Sequence, residues 1–290
     1  MKKLGIVLGV FCLTAALAFG GEKTFSFLIS GGMTHLAPHD LNSFLQDYAR
    51  YYLHYIDGTT DQDFISKTLR RSSELEFTLL LRVAPRIFLT FGSGLVSAGL
   101  ESDPLLQTYG DLEVKLSRDD TIRAIPIRVG LLYSWPVSRR LSFCPHLSLD
   151  GYISSFKEMG NEERRYLDSD SIFARDEWEI KTRTFSWGST AGLSLDVAIS
   201  GMLSLSLDAG YRRARLAGFH GTDARSESGQ FLSERDFRLL YFEFYSDWTK
   251  TGYKFLNLPF ASGSTSLDVV RDAVLDLSGP YLRGGLRLSF

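Results

Sequence analysis

In eight stretches of this 290-residue chain, apolar and polar residues alternate with a period of two, as they do in strands whose two faces meet different surroundings. Residues 73–84 show it best. Leu75, Phe77, Leu79, Leu81 and Val83 share one face, and Glu74, Glu76, Thr78 and Arg82 share the other. The same alternation runs through 24–34, 87–99, 121–135, 141–155, 179–198 and 202–216. It returns in a closing run, where Leu282, Gly284, Leu286, Leu288 and Phe290 oppose Tyr281, Arg283, Gly285, Arg287 and Ser289. Each of these eight segments is long enough to cross a bilayer, which takes roughly 9–11 tilted residues.

The connections alternate too. Short turns fall at Pro85-Arg86, at Pro136 to Arg140 and at Ser200-Gly201, and long loops at roughly 35–72, 100–120, 156–178 and 217–276. An even strand count with alternating short and long connections predicts an all-β fold: an eight-stranded antiparallel up-and-down transmembrane β-barrel. The first long loop carries a helix signal, with Asp40 as N-cap, Leu41, Phe44, Leu45, Tyr48, Tyr52 and Tyr55 near helical spacing, and Gly58 to end it. A helical first extracellular loop packed over the barrel mouth is the expectation. The last loop gathers Phe237, Tyr241, Phe242, Phe244, Tyr245, Trp248, Tyr253 and Phe255. These suit a hairpin above the membrane; if Phe237–Tyr245 and Tyr253–Leu258 crossed instead, the barrel would have ten strands.

Lys2 and Lys3 precede an apolar run from Leu4 to Ala18, with Ala18 and Gly20 placed for cleavage after Gly20. That reads as a signal peptide over 1–20, leaving 21–290 as one barrel domain. Cys12 lies inside the apolar run, so only Cys144 would remain, which excludes an intrachain disulfide or a thiolate metal cluster. The 21 Phe and 13 Tyr suit interfacial girdles. The net charge of −2 becomes −4 without Lys2 and Lys3, and offers no basic excess for nucleic acid.

The run ending in Leu286, Leu288 and Phe290 resembles the C-terminal strand of bacterial outer-membrane proteins, which implies recognition by the barrel-assembly machinery. In pattern, the whole exported chain is similar to small eight-stranded outer-membrane barrels of the OmpA transmembrane-domain, OmpX and OmpW kind. The resemblance implies the cell outer membrane, with lipid and lipopolysaccharide as surroundings. That group includes adhesins, envelope anchors, small channels and enzymes, so the fold does not set the function.

The inward positions bear on function more directly. They gather Glu74, Glu76, Asp150, Asp196 and Asp208 against Arg82, Arg128, Arg212, Arg283 and Arg287. Buried charges persist when paired, and an eight-stranded barrel is just wide enough for side chains to fill. A balanced set therefore predicts a sealed, ion-paired lumen and a non-catalytic protein that acts through its loops, on an extracellular ligand or surface, or as an envelope component. A channel or transporter for small or apolar solutes is the first alternative. An outer-membrane lipid hydrolase is the second.

The hydrolase would rest on His146, Ser148 and Asp150, which share one strand face. Their spacing resembles lipid A deacylases, but Leu149 stands where that motif has Asn. Same-face neighbours are also about 7 Å apart along a strand, so polar lining explains the trio as well. An omptin-like protease would show an Asp pair and an Asp-x-His pair. Asp61-Gln62-Asp63 has the first spacing, and no histidine supplies the second. Asp119-Asp120 and Asp61/Asp63 read as solvated loop acids, Gly92-Ser93-Gly94 as small residues easing curvature, and 163–165 and 225–234 as charged loops facing lipopolysaccharide or solvent. No cofactor or metal is expected.

Overall fold

The computed structural model describes residues 24–36, 38–55, 59–60, 68–101, 105–109, 111–168, 171–227, 230–246, 251–256 and 267–290. The expected leader, Gly58, Asp61 and Asp63 lie outside them. Eight strands form the body: β1 Phe25–His35, β2 Arg71–Ala84, β3 Ile87–Glu101, β4 Leu112–Tyr133, β5 Leu141–Tyr166, β6 Ser171–Ala198, β7 Leu203–Leu216 and β8 Gly279–Ser289. Each pairs antiparallel with the next, and β8 pairs back onto β1. Closing the ring gives every strand two hydrogen-bonded neighbours, which a sheet needs where no water reaches its edges.

The registers fix the barrel's geometry. Followed from Met33 through β2 to β5, the cross-strand row arrives at Arg183 of β6; followed through β8 and β7, it arrives at Leu193. The row is thus displaced by ten residues in one circuit. With ~3.3 Å per residue and ~4.8 Å between strands, that stagger tilts the strands by roughly 40° and leaves an interior that side chains can fill. Small residues are needed where walls approach: a Cβ on Gly94 of β3 would stand 2.2 Å from the Leu75 carbonyl oxygen. The Gly92-Ser93-Gly94 run therefore serves strand contact, as its position inside a strand suggests.

Outside the ring, the alternation places apolar side chains in the open. Phe77, Ile127, Leu147, Trp187, Leu207 and Leu286 are each half-exposed or more. Among the described residues no helix is long and apolar enough to cross a membrane; this exterior belongs to strands.

Two of the expected long loops are strand. β5 and β6 stay paired out to Tyr166 and Ser171, and β4 stays paired with β5 back to Leu112, with Leu105–Tyr109 added on its other side. The segments 112–120, 156–166 and 171–178 thus form a sheet standing above the apolar belt. Apolar alternation misses it because polar and charged side chains occupy both of its faces, although the backbone ladder continues, with one register shift between Arg164 and Arg165. The charged segment 163–165 lies in this sheet, where Arg165 pairs with Glu113 at 2.6 Å and Arg164 with Asp176 at 3.1 Å.

The last connection also adds strands. His220–Glu227 and Gln230–Arg238 form a hairpin on the outer half of β6, so much of 225–234 is strand as well. The chain leaves β7 through Gly218, whose φ of 69° suits glycine, and the register slips by one residue between Ala214↔Gly188 and His220↔Arg183. Leu240–Ser246 then lies between Thr251–Leu256 and Leu267–Asp272 in a separate three-stranded sheet. The described parts of the two candidate extra staves, 237–245 and 253–256, therefore stay out of the ring, which has eight strands among the described residues.

Helix α1, His39–Tyr55, follows β1. Asp40 is in its first turn rather than at its cap: the Asn42 amide bonds the Pro38 carbonyl. The Asp40 carboxylate instead accepts from the Val274 amide at 2.8 Å and from Arg271 at 2.6 and 2.7 Å, tying the helix to the last loop. Leu41, Phe44 and Leu45 are buried against Leu36, Leu69 and residues of the barrel mouth such as Val96 and Phe156. The expected continuation of the stripe through Tyr48, Tyr52 and Tyr55 lies outside the described side chains.

Candidate functional site: the charged lumen and its outer cap

Inside the ring, the polar phase of each strand meets the others in layers. At the end of the short turns, Arg287 of β8 pairs with Asp196 of β6 at 2.8 Å, and the Cys144 thiol donates to the same carboxylate at 3.5 Å. Leu80, Leu132 and Cys144 form a buried apolar layer here with Leu28 and Phe88. Arg82, expected inward, sits half-exposed at this rim and donates to the Pro85 carbonyl at 3.0 Å.

The middle layer carries most of the charge. Glu76 of β2 accepts from Arg128 of β4 and from Arg283 of β8, bridging two guanidinia across the lumen. Arg283 also reaches Asp208 of β7 at 2.6 Å, and Arg128 lies 3.4 Å from Asp150 of β5. Asp208 contacts His146 Nε2 at 2.8 Å and accepts from Ser194 at 3.1 Å. Asp150 accepts from Ser148 at 2.7 Å, Tyr152 at 2.9 Å and Thr190 at 2.5 Å. His146, on the inward phase of β5, thus joins this hydrogen-bonded layer, whereas Arg82 sits at the rim. The void left between these groups is about 50 Å³.

Above it, Arg212 of β7 is fully buried, pairs with Glu74 and donates to the Leu277 carbonyl at 3.1 Å. Thr34 donates to Glu74 as well. A buried carboxylate needs several donors to replace its hydration, and strands on different sides of the ring supply them.

Next comes the cap. Ile122, Ala124, Phe156 and Ile180 turn inward where β4, β5 and β6 leave the belt, above Tyr152, and the Leu41–Phe44–Leu45 face of α1 belongs to the same buried cluster. The Arg118 guanidinium lies 4.2 Å from the Phe44 ring centroid. It pairs with Asp120 at 2.9 Å and with Glu158 at 2.8 Å, and the Trp178 indole donates to Glu158 at 3.0 Å. Burial pushes the Glu158 carboxyl up to about 7, against the opposing pull of Arg118. Asp120 is thus an ion-pair partner, and no cluster of potential metal ligands occurs among the described residues.

The hydrolase trio does not assemble as a relay. His146 Nε2 faces Asp208 on β7, while Ser148 donates its proton to Asp150. A serine nucleophile needs the imidazole as its acceptor, and here the imidazole engages Asp208 while the serine engages Asp150. At the closing strand, Phe290 stacks on Phe25 at 5.2 Å, and Leu286 and Leu288 face outward opposite Ile29 and Phe27.

A closed ring of tilted antiparallel strands, apolar outside and charged within, defines a transmembrane β-barrel of the bacterial outer-membrane type. No protein-family model and no curated protein matches the chain. Among solved structures it is similar to the outer membrane protein OprG from Pseudomonas aeruginosa, at 13% identity over 93% of this chain and 98% of that one, with a TM-score of 0.37. It is also similar to a major outer membrane protein from Thermus thermophilus, at 12% identity over 92% and 99% of the two chains, TM-score 0.35. The outer membrane protease OmpT from Escherichia coli follows, at 7% identity over 96% and 100%, TM-score 0.24. At such scores the class rests on this chain's own registers and exterior.

Proposed function

We propose that this barrel is a sealed, non-catalytic component of the outer membrane, whose work is done by the structure it holds above the bilayer. The observation that carries this reading is the middle layer: Glu76 joins Arg128 and Arg283 across the lumen, with a void of only about 50 Å³ beside them. One water needs about 10–15 Å³ of such space, so the void holds a few waters, too few for a continuous file of hydrated ions. The cap of α1 over Ile122 and Phe156 closes the same axis a second time. Non-catalytic action is supported by His146 being engaged with Asp208 rather than Ser148.

Solute uptake into proteoliposomes tests it. Vesicles carrying the wild-type barrel should swell no faster in an isotonic solution of a small sugar or amino acid than protein-free vesicles. Swelling that scales with protein content, and persists after the cap is removed, would make the chain a channel and end this reading.

A further inference from the structure

The outward side of β4, β5 and β6 changes character within one cross-strand row. Ile125, Ile153 and Phe185 are paired across the three strands and exposed at 45, 48 and 54%. The row above them is Arg123, Ser155 and Arg183, and the next is Thr121, Lys157 and Lys181. Two successive rows thus carry four cations and no carboxylate. Acids begin only in the third row, with Asp119 and Glu179, and Glu179 takes both lysines, at 2.8 and 2.5 Å. Arg123 and Arg183 are exposed and have no carboxylate partner among the described residues. His220 stands opposite Arg183 on the added hairpin and extends the row with a further side chain that can carry positive charge.

The apolar row fixes the depth of these cations. Exposed Ile125, Ile153 and Phe185 require hydrocarbon, so side chains one row higher lie where lipid headgroups begin. Below them, Ile127 and Trp187 flank Gly151 on the outward face. A Cβ on Gly151 would come 3.1 Å from the Phe185 ring, which leans over the glycine and packs edge-on to Trp187 at 5.1 Å. The result is an apolar and aromatic shelf beneath a pair of guanidinia two strands apart, with a hydroxyl between them. Within the strands at the opposite rim, outward positions such as Val83, Tyr133, Phe143 and Val197 are apolar or aromatic.

We infer that this face of β4–β6 is a docking site for a phosphorylated lipid of the surrounding outer leaflet. A lipid phosphate would lie between Arg123 and Arg183 with Ser155 donating to it, and an acyl chain would lie along Ile125, Ile153 and Phe185. Guanidinium is suited to the phosphate because its planar donors match the oxygens in pairs. The inference rests on the transmembrane placement of the ring and not on the sealed lumen, so a conducting wild-type barrel would leave it standing.

The test titrates the detergent-released full chain with lipid A and counts bound lipid by native mass spectrometry. Wild type should retain lipid A, the Arg123→Ala/Arg183→Ala double variant should bind it about tenfold or more weakly, and either single change should cost a few-fold. Arg123→Lys/Arg183→Lys should recover part of the loss, which shows that the variants fold. Fully dephosphorylated lipid A should not be retained by wild type. Equal retention by wild type and the double alanine variant would overturn the inference. So would an equal loss on changing Arg139 and Arg140, in the turn at the far rim, or displacement of lipid A by millimolar inorganic phosphate, which would mark a site for the free anion.

Discussion

The same three strands build two regions with opposite interiors. Within the belt, β4 to β6 point Arg128, Asp150 and Thr190 inward and Ile127, Leu149 and Phe185 outward. A few residues higher they point Ile122, Phe156 and Ile180 inward and Arg123, Lys157 and Arg183 outward. Nothing in the backbone marks the change, since the ladder from Leu112 to Leu132 against β5 is unbroken. What changes is the solvent. Lipid outside lets the apolar phase face out and leaves the polar phase to bond within the lumen; water outside reverses the assignment. The boundary is therefore read from side chains alone, between the Ile125–Ile153–Phe185 row and the Arg123–Ser155–Arg183 row.

The two regions should fail differently when cut. The largest effect belongs to the lumen. Glu76→Ala leaves Arg128 and Arg283 without the carboxylate they share, and should lower barrel stability by about 3–5 kcal/mol, the cost of stranding a buried charge. Denaturant unfolding in lipid vesicles reads it. The cap should respond locally instead. Phe44→Ala removes the fully buried ring over Arg118 and should weaken the cap by about 3 kcal/mol. Hydrogen exchange should quicken in α1 and the raised strands while the belt strands stay protected.

A change in pH separates them further. In the folded crown the Glu158 carboxyl is raised to about 7 from 4.5. The folded state therefore holds this proton more tightly than the unfolded chain, and the stability it contributes is lost as pH rises from about 4.5 to about 7. Arg118, Asp120, Trp178 and Asp223 surround the group. Exchange protection of the crown, corrected for intrinsic rates, should be greater at about pH 5 than at about pH 8, and Glu158→Gln should flatten that difference. The smallest effect is expected at Ser148. Its hydroxyl gives Asp150 one of several donors, so Ser148→Ala should cost about 1 kcal/mol or less. It should also leave any residual lipid-hydrolysing signal at background.

The contrast also explains what the sequence discloses. Inside the belt, one phase is apolar with few breaks, such as Ser93 and Ser189, so strand, face and inward charge can all be read from Leu75 or Leu147 and their neighbours. Above the belt, the Glu158-Met159-Gly160-Asn161 stretch buries a carboxylate on one phase and exposes a methionine on the other, which reads as a loop although the ladder continues. Arg82 and His146 show the remaining gap. Phase places a side chain on the lumen side but says nothing of its height or reach. Arg82 ends at the Pro85 carbonyl, and His146 ends among the carboxylates. Which carboxylate meets which guanidinium depends on the ten-residue stagger of the ring, which only the paired registers disclose.

Single-channel recording of the refolded barrel in a planar bilayer tests the central claim most directly, with wild type and Glu76→Ala compared under one voltage protocol. The account predicts a silent wild type, and intermittent leakage once Arg128 and Arg283 lose their common partner. A steady, selective conductance in the wild type, unchanged in the variant, would contradict it.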